Sequence, residues 1–347
     1  MKNGRSDIDL AFKEEIIHLL ESKGVEFTEN GPCISFPSHN LKMTLVPLKA
    51  NPEMLPSSHP ACQWEQQYPE ESNVGEGMSA ENAGGSGTVF LFEDRWRKSP
   101  GITSQRILAR LGVFTRVHAR LCKTVSEENC RELGLSPAEF TQKIRKFLDT
   151  YHTYGFLKGQ INYALVYKEN IVAAAQFMQT YKPRNGSSDL RAYEWTRYAS
   201  LPDMRIAGGM GKVLEQFVRD VRSKQSNEGS VIEGIEEGYK KKRHEEAGKM
   251  HGFEVMSYSD NEWSDGDAYR KLGFRLEGSM PPVTYRIDPK TFNRINPRQW
   301  AALKTQAVQS NSQTAPSSKD ASLTLDNLNN YPVIRNLGSR KWIKLYR

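Results

Sequence analysis

The chain has 347 residues, with 48 lysines and arginines against 41 acids and a net charge of +7, a length that suits two domains or one domain with large insertions. Its apolar fraction of 37% and mean hydropathy of -0.65 are low for a fully compact protein and predict exposed or disordered stretches. The mild basic excess favours a polyanionic partner or serves solubility alone, while the charged start "MKNGRSDIDLAFKEE" and the lack of a long apolar run argue against a signal peptide and a membrane span and for a soluble protein of the cytoplasm.

Residues 1–49 predict a small α/β region. Ser6 and Asp9 resemble a capping box, followed by a helix with Ile8, Phe12, Ile16, Leu19 and Leu20 on one face and Gly24 at its end. Strands are expected at "VEFTE", "CISF" and "LKMTLVPL". Residues 50–87, rich in Pro, Ser, Gly, Asn and Glu, predict a flexible linker. The connecting region 88–115 predicts a buried strand, "TVFLFEDRW", with a charged tip where Glu93 and Asp94 form a solvated turn. A helix over "SPGITSQRILARLG" follows, with Ile107, Leu108 and Leu111 inward. Arg106 and Arg110 lie one turn apart on its outer face, as phosphate contacts or as a solvated charged face.

Residues 116–303 predict a mixed α/β domain. A strand over "TRVHARLCKTV" precedes a helix with Ser136 as N-cap and Pro137 at its first position. A hairpin turns at Lys168-Glu169-Asn170, then come the strand "RAYEWTRYASL" and a helix with Val213, Leu214, Phe217 and Val221 on one face. A polar insertion, 224–250, carries the basic run Lys240, Lys241, Lys242 and Arg243, which suits an anion. The strand "FEVMSYSD" leads to a turn at Ser264-Asp265-Gly266, a short helix over Ala268–Leu272, a left-handed stop at Gly273 and a further strand from Phe274. Residues 304–328 predict a second linker, and 329–347 a closing hairpin.

This order of elements resembles the GNAT acyltransferase fold, a mixed sheet with flanking helices, on two motifs. "RIAGGMGK", 205–212, lies between strand and helix, and "AYRKLGFRLEG" brings a Tyr followed by Leu-Gly-Phe. The resemblance implies acyl-CoA as cofactor, its phosphates held at a helix N-terminus by Arg205, Gly208, Gly209, Gly211 and Lys212. Met210 departs from the family spacing, where Gly or Ala is usual, and a glycine cluster at a helix start also serves plain packing. "VFLFEDRWRKSPGITSQRILARLG", "EWTRYASLPDMRIAGGMGKVL", "SYSDNEWSDGDAYRKLGFRLEG" and "IRNLGSRKWI" further resemble phage or mobile-element proteins. In these a homing-endonuclease-like N-terminal region precedes a GNAT-like domain related to the Mom-type DNA-modifying enzymes. That resemblance implies DNA as partner, and an organelle stroma or host cytoplasm as alternative locations.

An acyl transfer to an amine requires a base and a proton donor. Glu194, Asp260 and Tyr269 are the candidates, although Glu194 with Arg197 also reads as an ion pair and Asp260 as a turn residue. The nuclease-like part reads as degenerate, with Lys42 where a carboxylate ligand is expected and Pro47 two residues before Lys49 in place of an acid. No metal site is expected: Cys33, Cys62, Cys122 and Cys130 form no C-x-x-C pair, and His118, His152 and His244 fall in separate elements.

Overall fold

The computed structural model describes residues 7–48, 87–180, 190–231, 252–312 and 325–347. Ser6, Lys49, Lys240, Lys241, Lys242, Arg243 and His244 lie outside the described residues, as does nearly all of the expected linker at 50–87. The fold is mixed α/β. It divides into two compact units: Met1–Ser104, Tyr258–Asp267 and Gly278–Lys341 form the first, and Gln105–Ser257, Ala268–Glu277 and Trp342–Arg347 the second.

In the first unit, helix α1 (Asp7–Ser22) buries Phe12, Ile16 and Leu20, a stripe at four-residue spacing. Gly24 follows with φ of 63°, the left-handed stop expected of it. Strands β1 (Thr28–Asn30), β2 (Cys33–Phe36) and β3 (Leu41–Val46) form an antiparallel meander, to which β4 (Gly87–Phe92) adds in parallel. The expected solvated tip after β4 is absent. Phe92 ends the strand, and Glu93 opens helix α2 (Glu93–Lys98) with Glu93, Asp94, Arg95 and Trp96 all buried. Both acids stand in the first turn, where the helix dipole favours negative charge, and Glu93 also accepts from Leu48 N–H at 2.9 Å. Helix α3 (Pro100–Arg110) then carries the chain into the second unit.

The single strand expected over "TRVHARLCKTV" is two. β5 (Thr115–His118) and β6 (Lys123–Ser126) are separated by a 3-10 turn over Ala119–Leu121 and belong to different sheets. Helix α4 (Pro137–Tyr151) starts as expected: Ser136 Oγ accepts from Glu139 N–H, and the Glu139 carboxylate accepts from Ser136 N–H at 2.8 Å, a complete capping box. β7 (Ile161–Tyr167) and β8 (Asn170–Thr180) make the hairpin, its turn confined to Lys168 and Glu169. Their φ values of 47° and 64° suit a tight turn that follows the strand twist.

β9 (Arg191–Ser200) and β10 (Met204–Ala207) lead to α5 (Gly209–Val231), so the first residues of the expected insertion extend this helix. α5 buries Val213, Leu214, Phe217 and Val221, with Phe217 stacked on Phe177 at 4.0 Å between ring centroids. β11 (Phe253–Asp260), α6 (Asp267–Lys271) and β12 (Arg275–Met280) follow, with Gly273 left-handed at φ of 77°.

The chain then returns to the first unit for an antiparallel sheet of β13 (Thr284–Ile287), β14 (Arg294–Ile295) and β15 (Val333–Arg335), with helices α7 (Pro297–Ser312) and α8 (Leu325–Asn329). Both ends of the expected linker at 304–328 are therefore helical, because "AALKTQA" is rich in helix formers and buries Ala307. The closing hairpin is also corrected. β15 pairs with β13, whereas β16 (Ser339–Tyr346) joins a seven-stranded sheet of order β12-β16-β11-β9-β8-β7-β6. Gly338, at φ of 68°, makes the turn between them.

A buried charge network anchors the first unit. Arg294 donates to Asp94 at 2.7 and 3.1 Å and to both carboxylate oxygens of Glu262, and Arg95 reaches Glu262 at 3.5 Å. Burial alone would lower the Arg294 pKa, yet Glu262 and Asp94 hold it well above the usual arginine value. Phe90 N–H donates to the Glu262 carbonyl at 2.8 Å, so the same segment is tied to β4 through its backbone. Arg294→Met leaves two buried carboxylates without their shared partner and is expected to lower stability by about 3–5 kcal/mol in urea denaturation. Arg294→Lys keeps the charge but loses the fork geometry and is expected to fall between that variant and the parent.

Candidate functional site

In the second unit, β9 and β11 run parallel, and their ladder covers Arg191–Glu194 against Phe253–Met256. Beyond it the tie is a side chain: Ser257 Oγ donates to the Trp195 carbonyl at 2.9 Å. On the other edge of β9, Phe177 faces Trp195 and Gln176 faces Arg197, leaving Thr196 as the extra residue of a bulge. The crossover from β9 to β11 passes through β10 and enters α5 at this end of the strands.

Gly208, at φ of 78°, is the residue before α5, and its carbonyl accepts from Lys212 N–H at 3.0 Å. The N–H groups of Gly209, Met210 and Gly211 in the first turn therefore have no intrahelical acceptor, and a glycine supplies no capping oxygen. Gly209 is sterically required. A Cβ there would lie 2.6 Å from Tyr198 Oη and 2.9 Å from Ile206 Cβ, whereas one at Gly211 would touch Leu272 at an ordinary 3.4 Å. The two other residues expected to hold phosphate are placed differently. Lys212 Nζ donates to the carbonyls of Ala119, at 3.1 Å, and Cys122, which occupies two of its three donors. Arg205 is exposed on β10 with its guanidinium over the Phe114 ring.

A cleft of about 520 Å³ borders Gly211. Leu214 and Val218 of α5, Leu272 and Tyr346 form its apolar walls, and Arg219, Lys271 and Lys344 bring three cations to it against the single acid Glu215. Lys344 Nζ also donates to the Leu272 carbonyl at 2.6 Å, which fixes the end of α6 to β16. Sequence reasoning missed this cleft because its residues come from three separated segments. The four-residue spacing of Leu214 and Val218 on α5 was its only local sign.

The three expected catalytic residues are not brought together. Tyr269 packs edge-on against Trp195 at 6.4 Å and stacks on Trp342 at 6.1 Å, with its hydroxyl 2.8 Å from Ser257 Oγ. Burial raises its pKa, offset only in part by the Ser257 bond, so it holds its proton at neutral pH. Glu194 leaves β9 on the face opposite to Trp195, since neighbouring strand residues alternate. Asp260 belongs to the first unit, where Oδ1 accepts from Glu262 N–H and its carbonyl from Trp263 and Ser264 N–H, each at 3.0 Å: it ends β11 and holds the turn that follows. Ser257 joins Tyr269 to β9 and was not singled out in the sequence. Strand alternation in "FEVMSYSD" puts it on the same face as the buried Val255.

Arg197 donates to the carbonyls of Gly155, at 2.9 Å, and Thr196, at 2.7 Å. The loop after α4 that it braces carries His152, whose Nδ1 accepts from Tyr154 N–H. Burial, with Arg197 and Arg106 nearby, pulls the His152 pKa down to about 3. Arg106 donates to Thr153 at 3.3 Å and is therefore partly drawn into this loop, while Arg110 is exposed at the end of α3. A histidine held neutral in the fold stabilises it fully above its unfolded pKa of about 6.5, and that contribution is lost as pH falls from there toward 3. Thermal denaturation should show stability decreasing over that window by up to about 1.4 kcal/mol per pH unit. His152→Asn, which keeps an acceptor for Tyr154, should flatten the decline.

Among the described residues, no group of three or more His, Cys, Asp or Glu side chains is placed to hold a metal ion, and no helix is long and apolar enough to cross a membrane. No protein-family model matches the chain, and no curated protein does.

Proposed function

We propose that the second unit is a GNAT-like acyltransferase domain that binds acyl-CoA, and that the protein, of phage or mobile-element type, acts on or binds DNA. The observation that carries this reading is the α5 N-terminus. Its first N–H groups have no intrahelical acceptor, it opens where the β9–β11 ladder has ended, and it borders a cleft with three cations. The chain order β6, α4, β7–β8, β9, α5, β11, α6, β12 supports the resemblance. Because one fold hosts several functions, the site carries the argument.

The residues fit the cofactor's chemistry. N–H groups of Gly209, Met210 and Gly211 at the positive end of a 23-residue helix suit a diphosphate. Apolar walls with Arg219, Lys271 and Lys344 at the cleft suit a phosphorylated nucleotide end. When bound, acyl-CoA supplies an acyl group activated as a thioester. Tyr269, protonated at neutral pH and oriented by Ser257, is the proton donor of this reading. Glu194 leaves β9 on the face opposite to Trp195, against which Tyr269 packs, so the two do not form an acid–base pair across one reacting centre.

The alternative is a DNA-binding protein whose GNAT-like unit is a scaffold and whose N-terminal part is a degenerate nuclease. Two commitments favour it: Lys212 is tied to carbonyls, and the Tyr198 hydroxyl crowds Gly209. In the first unit Asp94 and Glu262 are paired with Arg294, and Glu262 also with Arg95, which occupies lone pairs a cation would use, and Lys42 is exposed on β3.

Calorimetric titration with acetyl-CoA separates the readings. Saturable binding is expected in the parent. It should weaken roughly tenfold in Arg219→Gln/Lys271→Gln, which removes two charge-assisted contacts at the cleft, and disappear in Gly209→Trp. No binding in the parent overturns the transferase reading and leaves the scaffold.

A further inference from the structure

Gln105–Ser126, the first stretch of the second unit, holds four arginines and a lysine and no acidic residue. Part of it forms a two-stranded parallel sheet, β5 with β10, whose register sets Arg116 beside Arg205 and Val117 beside Ile206. Val117 and Ile206 are buried in the hydrophobic core. Arg116 and Arg205 therefore stand together on the opposite face, and both are exposed. Neighbouring strands lie about 4.8 Å apart, and like charges directly across a strand pair repel.

No ion pair among the described residues engages either arginine. Among the described residues, Arg116 and Arg120 have no carboxylate or hydrogen-bond partner, and the contact of Arg205 is the Phe114 ring, 5.5 Å from the guanidinium carbon. Leu121, in the turn that follows β5, is 58% exposed, unusually open for a large apolar side chain. Arg116 and Arg205 thus stand on the ribbon itself, Phe114 just before β5, and Arg120 and Leu121 in the turn just after it.

We infer that the exposed face of the β5–β10 ribbon is a nucleic-acid-binding surface on which Arg116, Arg120 and Arg205 hold backbone phosphates. Guanidinium groups bind phosphate through paired N–H donors. Several of them on a rigid ribbon match a partner that presents phosphates in series. Phe114 and Leu121 add the apolar contact that bases or sugars accept. Arg205, expected from the sequence to serve the cofactor, is here assigned to the partner. The inference rests on the proposed nucleic-acid partner and is independent of acyl-CoA binding.

The test is fluorescence anisotropy of a labelled oligonucleotide, single-stranded and duplex, with the full chain across a salt series. The parent should bind with log affinity falling linearly in log salt. Arg116→Gln/Arg205→Gln should bind roughly tenfold more weakly, with a salt slope smaller by about 1.8 on the duplex and about 1.4 on the single strand, the values for two lost phosphate contacts. Lys143→Gln/Lys146→Gln removes the same charge from exposed positions of α4 and should stay within about twofold of the parent, since it removes no phosphate contact. Equal losses in both double variants, no oligonucleotide binding by the parent, or binding only to phosphatidylserine vesicles would each overturn the assignment. Acetyl-CoA titration of the arginine variant keeps the two proposals apart. Unchanged acyl-CoA binding is expected, and its loss would assign these arginines to the cofactor and overturn the inference.

Discussion

Two adjacent parallel strands cannot be joined by a tight turn, and this constraint organises the second unit. β9 and β11 require a crossover, and β10 with α5 supplies it. The helix must begin near the C-terminal end of β9, against residues already packed there. Gly208 turns the chain through the left-handed region, and Gly209 fits against the Tyr198 hydroxyl and Ile206 where any side chain would collide. The consequence is a helix start without a capping side chain, whose first N–H groups have no intrahelical acceptor. Lys212 then ties the first turn to the 3-10 turn between β5 and β6, so the ribbon and the helix start are held as one piece. The chemistry proposed for this unit depends on that arrangement.

The elements legible in the sequence are those governed by local rules. Ser136-Pro137 with Glu139 announces the start of α4, Gly273 the end of α6, and the apolar spacing of α5 its buried face. The errors arise where a neighbour distant in sequence decides. "TRVHARLCKTV" has the composition of one strand and is broken because Val117 joins β10 while Val125 pairs with β7. Residues 329–347 suggest a hairpin, yet β15 finds β13 and β16 enters the sheet beside β11. The site was half legible. Gly208, Gly209 and Gly211 do stand at a helix start, and the turn reading of Asp260 was available locally, but nothing local foretells that Lys212 turns to carbonyls or that Ser257 meets Tyr269.

Glu93 and Asp94 show the same limit in the first unit. Next to a strand and followed by Arg-Trp-Arg they read as a solvated tip, because charged residues in series normally face water. Arg97 pairs with Glu93, and Arg294, far along the chain, pairs with Asp94, which makes their burial tolerable. Such a network is weak evidence for stability by itself, but removing one member leaves the others uncompensated. It ties three distant stretches of chain into one unit, and it replaces the free carboxylate pair that metal-dependent hydrolysis requires.

The central claim is that the α5 N-terminus is a binding site and not merely a packed corner. Hydrogen–deuterium exchange of the full chain with and without coenzyme A tests it most directly, because amides that donate to a ligand exchange more slowly. The account predicts slowed exchange in peptides spanning residues 208–213, together with those covering Leu272 and the end of β16. Unchanged exchange there at saturating coenzyme A, or protection confined to other segments, would contradict it.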